Sequence, residues 1–157
     1  MPHDCYIQHY KAIVTATLPE PIKGITTLLQ YAKKHHIPVA VVSNKEHELV
    51  LHEIEVLGWN RYIDIAMGTD AMTKAKLDSD MLSKALDQLN IKETENIIII
   101  GDTSTDMLAA QKLNVKAVLL NNEKNTDHDI FCDIRMNGYH QLIEHFRHSE
   151  AQEKRSI

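Results

Sequence analysis

The sequence predicts an α/β fold: a Rossmann-like parallel sheet with helices on both faces. Three observations carry that expectation. Short β-branched runs alternate with helically spaced apolar residues along most of the chain, and such alternation builds parallel sheets through crossover helices. Val39-Ala40-Val41-Val42 and Ile97-Ile98-Ile99-Ile100 are continuous apolar runs, the pattern of strands buried on both faces. Each run ends in small or polar residues, Ser43-Asn44 and Gly101-Asp102, where a helix is set to begin.

Taken in order, residues 5–17 read as a short helix on the spacing of Tyr6, Ile7, Tyr10, Ile13 and Val14. Leu18-Pro19-Glu20-Pro21 interrupts the chain, and Pro21 suits the first position of the next helix. Ile22, Ile25, Leu28, Leu29 and Ala32 stripe that helix as far as His35. A strand over 37–42 follows, with Ser43-Asn44 as the cap of a helix striped by Val50, Leu51, Ile54 and Leu57 and stopped at Gly58. Tyr62 to Met67 reads as a strand, 68–78 as a polar loop and Ser79 to Leu89 as a helix. The Ile97 to Ile100 strand leads into a helix reaching Leu113, with Thr103, Ser104 or Thr105 as its cap. Val115 to Leu120 is a strand, Ile130 to Ile134 a short edge strand, and Tyr139, Leu142, Ile143 and Phe146 mark a last helix before a frayed tail at 149–157.

The 157 residues suffice for one domain with its own core, and no linker or internal repeat divides them. A formal charge of -5 gives no basic footprint, so nucleic acid is not an expected partner. Nor is a membrane, because no apolar run approaches spanning length. Met1-Pro2-His3-Asp4-Cys5 lacks the form of a signal peptide, and Cys5 and Cys132 read as reduced thiols. A cytoplasmic location is the resulting expectation.

Open α/β sheets bind ligands at the carboxyl ends of their strands. Asp102 falls at such an end and Asp106 in the first turn of the following helix, so two carboxylates converge there. That donor chemistry suits a hard cation, Mg²⁺. Ser43-Asn44 ends another strand on the same edge, and Lys74 and Lys76 lie in the loop before the 79–89 helix. A hydroxyl, a backbone N–H at a helix start and an ammonium are what a phosphate needs. Singly, Ser43 reads as a cap, Asp106 as a solvated helix residue and Lys76 as an ordinary loop lysine; their order and shared edge favour a site.

Here the chain resembles the haloacid dehalogenase superfamily of phosphatases, most closely its phosphoglycolate phosphatase branch. Val41-Val42-Ser43-Asn44-Lys45 resembles the second motif of that family, which implies a phosphate-binding role for Ser43 and Asn44. Lys76-Leu77-Asp78-Ser79-Asp80 resembles the third motif, with Leu77 and Ser79 where prolines are usual. It implies that Lys76 is the catalytic lysine pairing nucleophile and phosphate. Gly101-Asp102-Thr103-Ser104-Thr105-Asp106 resembles the fourth motif, which implies Asp102 as a Mg²⁺ ligand and Asp106 as a second ligand or its support.

One motif of the family has no match. Its first is a strand ending Asp-x-Asp-Gly-Thr, whose leading aspartate is the nucleophile. No such stretch occurs in this sequence, and upstream of Ser43 the only aspartate is Asp4. In the family that strand lies in mid-sheet, between the strands ending at Ser43 and Asp102. The resemblance therefore implies the remnant of a cap domain and linker at 1–20, a core at 21–148 without its central first strand, and a tail at 149–157. The expected function is a Mg²⁺-dependent phosphomonoester hydrolase, or a truncated part of one, acting on a small phosphorylated metabolite. A second chain, or a segment outside this sequence, would supply the missing strand. The alternative is a catalytically inactive remnant that binds Mg²⁺ and phosphate.

Overall fold

A computed structural model describes residues 20–70, 79–92, 96–121 and 130–155. They fall into two compact units, one holding Ile37–Lys92 and the other Ile22–His36 with the residues from 96 onward. The expected helix at 5–17 lies outside the described residues.

In the first unit, β1 (Ala40–Glu46) pairs in parallel with β2 (Ile65–Thr69). The crossover helix α1 (His47–Val56) buries Leu49, Val50 and Ile54, and α2 (Ser79–Gln88) buries Met81 and Ala85. Leu51, expected on the apolar stripe, is 45% exposed: it follows Val50 by one residue, and the helical turn carries it off the face that Val50 and Ile54 bury.

Both boundaries of β1 differ from expectation. It starts three residues late and runs on through Ser43, Asn44 and Lys45 to Glu46. Ser43-Asn44 therefore does not cap the helix; Glu46 holds the N-cap position of α1 and makes no side-chain capping bond. Ser43 Oγ instead accepts the Lys45 N–H at 3.2 Å, a local hydroxyl-to-backbone bond of the kind that shapes turns.

The second unit contains α3 (Ile25–Lys34), β3 (Ile98–Gly101), α4 (Ser104–Lys112), β4 (Lys116–Leu120), β5 (Ile134–Met136) and α5 (Tyr139–Arg155). Its three strands are parallel in the order β3-β4-β5. Alternate residues of β3 and β4 face two apolar clusters. Ile98, Ile100, Val118 and Leu120 point to Leu28, Tyr31, Met136, Leu142 and Ile143. Ile97, Ile99, Ala117 and Leu119 point to Met107, Ala110 and Val115. β4 is buried on both faces from Ala117 to Leu120, with Ala117, Val118 and Leu119 at 0% exposed and Lys116 at its start exposed. The four isoleucines are only half-buried. Apolar groups cover both faces of β3, but among the described residues it pairs on one side alone.

Both sheets are entered through the same clamp. Asp64 donates its N–H to Val39 C=O at 2.9 Å, and its Oδ2 accepts the Val39 N–H at 2.8 Å. Asp133 repeats this with Ala117, at 2.9 and 2.7 Å. A carboxylate thus stands in for a backbone carbonyl and fixes the register of the strand that follows. Regular pairing of β5 consequently begins at Ile134, so the strand expected over Ile130 to Ile134 is displaced to Ile134–Met136.

Two helix boundaries also move. α3 starts at Ile25 behind Gly24, whose φ is 90°, so Pro21 is not its first residue and Ile22 is 55% exposed. α5 continues to Arg155, so most of the expected tail is helical. Ala151, Gln152, Glu153, Lys154 and Arg155 are strong helix formers. Among the described residues no helix is long and apolar enough to cross a membrane.

Replacing Leu119 by Ala should lower the unfolding free energy by about 2–5 kcal/mol, because the site is closed on all sides. Urea denaturation followed by circular dichroism measures this.

Candidate functional site

Gly101 ends β3 opposite Leu119, and the chain turns at once into α4. Thr103 is the N-cap, in extended conformation at φ -124°, ψ 157°. Its Oγ1 accepts the Asp106 N–H at 3.2 Å, and Asp106 Oδ2 accepts the Thr103 N–H at 3.1 Å, which closes a capping box. The same Oδ2 also accepts the Asp102 N–H at 3.2 Å and the Thr103 hydroxyl at 2.8 Å. Three donors of the Asp102–Thr103 turn converge on one carboxylate oxygen. Its charge also suits the partial positive end of α4.

Gly101 makes room for that carboxylate. A Cβ built on it would overlap Asp106 Oδ2 and Cβ and lie 2.6 Å from Cγ. Glycine is needed here for close approach. Asp102 itself is exposed, one residue ahead of the cap. Tyr139, at the start of α5, titrates above its ordinary 10.0, chiefly because it is buried and secondly because of the Asp102 charge. Tyr139 read in the sequence only as a core residue of the last helix.

Ser43 and Asn44 lie in the other unit, on an irregular stretch of β1. The ladder pairs Val42 with Met67 and Glu46 with Thr69, so Ser43, Asn44 and Lys45 stand opposite Gly68 alone. This is a bulge of two extra residues, a device that re-aims side chains. Thr69 Oγ1 donates to the carbonyls of Asn44 and Lys45, at 3.1 and 3.3 Å. The Gly68 N–H donates to His47 Nδ1 at 3.2 Å. A Cβ on Gly68 would come within 2.6 Å of Lys45 O and of His47 Cα. The Lys45 ammonium pairs with Glu53 on α1 at 2.7 Å, directed along the helix. His47, Gly68 and Thr69 do not stand out in the sequence, where the strand is expected to end at Met67; β2 instead runs to Thr69 and takes in Gly68, a strand glycine of the kind that admits close backbone approach. Lys74 and Lys76 lie outside the described residues.

The donor chemistry at the β3 end fits Mg²⁺. The described residues hold no group of three or more His, Cys, Asp or Glu side chains able to bind a metal. Mg²⁺ does not need one, since it retains several waters and takes one or two carboxylates together with substrate phosphate. Asp102, exposed on a turn locked by the Asp106 carboxylate, presents a single carboxylate of the kind such a site would use.

The haloacid dehalogenase-like hydrolase family model matches residues 2–120. Among curated proteins, the chain is 31% identical over 100 residues to a phosphoglycolate phosphatase of Aquifex aeolicus, covering 64% of this chain and 46% of that protein. It is 25% identical over 103 residues to the pyrophosphatase PpaX of Halalkalibacterium halodurans, covering 66% and 47%. The chain spans about half the length of the curated relatives it matches. Among solved structures, a HAD phosphatase from Thermococcus onnurineus superposes with a TM-score of 0.75 at 14% identity, over 93% of this chain and 65% of that one. CbbY from Rhodobacter sphaeroides, solved with xylulose-1,5-bisphosphate, gives 0.72 at 17% identity, over 88% and 65%. At these identities the structural likeness establishes the fold.

Thr103→Val should cost about 0.5–2 kcal/mol through loss of the cap, read as a lower denaturation midpoint. Tyr139 has a folded pKa above its unfolded one, so its contribution to stability is whole below pH 10 and fades as pH climbs through the raised value. The melting temperature should therefore fall above pH 10, and Tyr139→Phe should shallow that alkaline fall in a pH series of thermal melts.

Proposed function

Because the chain belongs to the haloacid dehalogenase-like hydrolases, we propose that it carries the phosphate-binding and Mg²⁺-binding parts of a phosphomonoesterase for small phosphorylated metabolites. The observation that carries this reading is the Gly101–Asp106 turn. A parallel strand ends, a glycine admits the Asp106 carboxylate, and Asp102 is left exposed at the strand's carboxyl end.

In this reading Ser43 offers its hydroxyl and Asn44 its backbone N–H and amide to the phosphoryl oxygens. Lys76 adds an ammonium that pairs phosphate and nucleophile. Asp102 is the metal ligand. Asp106, with one oxygen already accepting three hydrogen bonds, acts mainly as the support that holds the Asp102 turn. Bound Mg²⁺ supplies charge neutralisation and alignment of the phosphate for in-line attack.

The attacking aspartate comes, in the same proposal, from a further strand outside these 157 residues, in the same polypeptide or a second one. No Asp-x-Asp-Gly-Thr occurs in the sequence. Among the described residues β3 pairs only with β4, and its isoleucines are half-buried, as suits a strand that accepts another neighbour. The same missing motif favours a second reading, a module that binds Mg²⁺ and phosphate without turnover.

The test is hydrolysis of 2-phosphoglycolate, with pyrophosphate as a second substrate, by this chain alone and with a segment bearing the Asp-x-Asp-Gly-Thr strand. Mg²⁺-dependent release of phosphate should appear only in the completed protein and fall by roughly 10²-fold or more in Asp102→Asn. Phosphate binding without activity in either preparation selects the binding module, and neither binding nor activity defeats both readings.

A further inference from the structure

We infer that His47 is a positioning residue for the phosphate-binding bulge, acting on Ser43 and Asn44 through the backbone of β2. The inference rests on the proposed role of those two residues. Its own support is the set of bonds that hold the bulge. Three residues of β1 oppose Gly68 alone, so the ladder there is out of step. A bulge disrupts local ladder bonding. The Gly68 N–H is taken by the His47 ring, and the carbonyls of Asn44 and Lys45 are taken by the Thr69 hydroxyl.

The clasp has a defined chemistry. To accept the Gly68 N–H, His47 Nδ1 must carry no proton, so the ring is the neutral tautomer with its proton on Nε2. The absence of a side chain at Gly68 lets β2 approach Lys45 O and His47 closely enough for the bond to form. His47 is also the first residue of α1, an end with no side-chain cap at Glu46. The histidine therefore ties the start of the helix to β2, and Thr69 ties the bulge to the same strand. Ser43 and Asn44 lie between the Val42–Met67 ladder pair and these ties, which together restrict the course of the backbone that carries both phosphate-facing groups.

The experiment is a ¹H–¹⁵N NMR titration of the 157-residue chain with inorganic phosphate in the presence of Mg²⁺, in wild type, His47→Phe, His47→Asn and Thr69→Val. Wild type should show phosphate-dependent shifts at the Ser43 and Asn44 amides. His47→Phe keeps a ring but removes the acceptor; it should weaken phosphate about tenfold, the worth of one hydrogen bond, and speed exchange of the Gly68 amide. His47→Asn places an acceptor where Nδ1 stood and should restore affinity to within about twofold of wild type. A purely structural role would move the melting temperature without this pattern of loss and rescue. Unchanged phosphate affinity in His47→Phe overturns the inference while the functional reading stands. If that variant does not fold, Thr69→Val decides: weaker phosphate supports the clasp and equal affinity overturns it. A wild-type chain that binds no phosphate removes the functional reading, and the inference falls with it.

Discussion

The β3–β4 ladder pairs Ile98 with Lys116 and continues to Gly101 with Leu119. That register decides which residues of two adjacent strands share a face, and therefore how both apolar clusters are filled. It also decides where the chain leaves the sheet. Because Gly101 is the last paired residue, the turn that follows is anchored by β4, whose side chains from Ala117 to Leu120 are closed off from water. A slip by one residue would send every side chain of β3 to the opposite face and carry Asp102 away from the carboxyl end of the strand. The position of one exposed carboxylate thus depends on backbone hydrogen bonds several residues behind it.

The two candidate loops reach a fixed shape by different means. After β3 the solution is local: a threonine cap and the Asp106 carboxylate satisfy the donors of a turn only a few residues long. After β1 it is non-local, since α1 begins without a side-chain cap and the bulge is held by residues of β2 more than twenty positions away. Local solutions show in sequence because donor and acceptor sit at fixed spacing. Non-local ones do not, because nothing in a Gly-Thr pair announces which backbone it will meet.

This difference accounts for what was legible beforehand. The alternation of elements, the parallel sheets and the Gly101–Asp106 turn followed from periodicity and capping chemistry. Missed were the continuation of β1 through Ser43 and Asn44, and the placing of Tyr139 within reach of the Asp102 charge. Each depends on a partner distant in sequence. The isoleucine run reads in the sequence as a strand buried on both faces, and its four side chains are half-buried. Apolar composition specifies faces, and edges depend on which neighbour is present. The entry clamp was also unread, although Ile63-Asp64-Ile65 and Cys132-Asp133-Ile134 place an aspartate just ahead of each strand.

Positions 101 and 106 occupy one volume, and that couples their histories. A side chain cannot appear at 101 while the Asp106 carboxylate stays in place. Removing the carboxylate at 106 would strip the Asp102–Thr103 turn of its shared acceptor, and the Cβ left at 106 would still meet one at 101. Neither change keeps the turn intact, so the two positions are constrained together. Genetic exploration of the loop is thereby steered to Ser104 and Thr105, which are exposed and take no part in the carboxylate's hydrogen bonds.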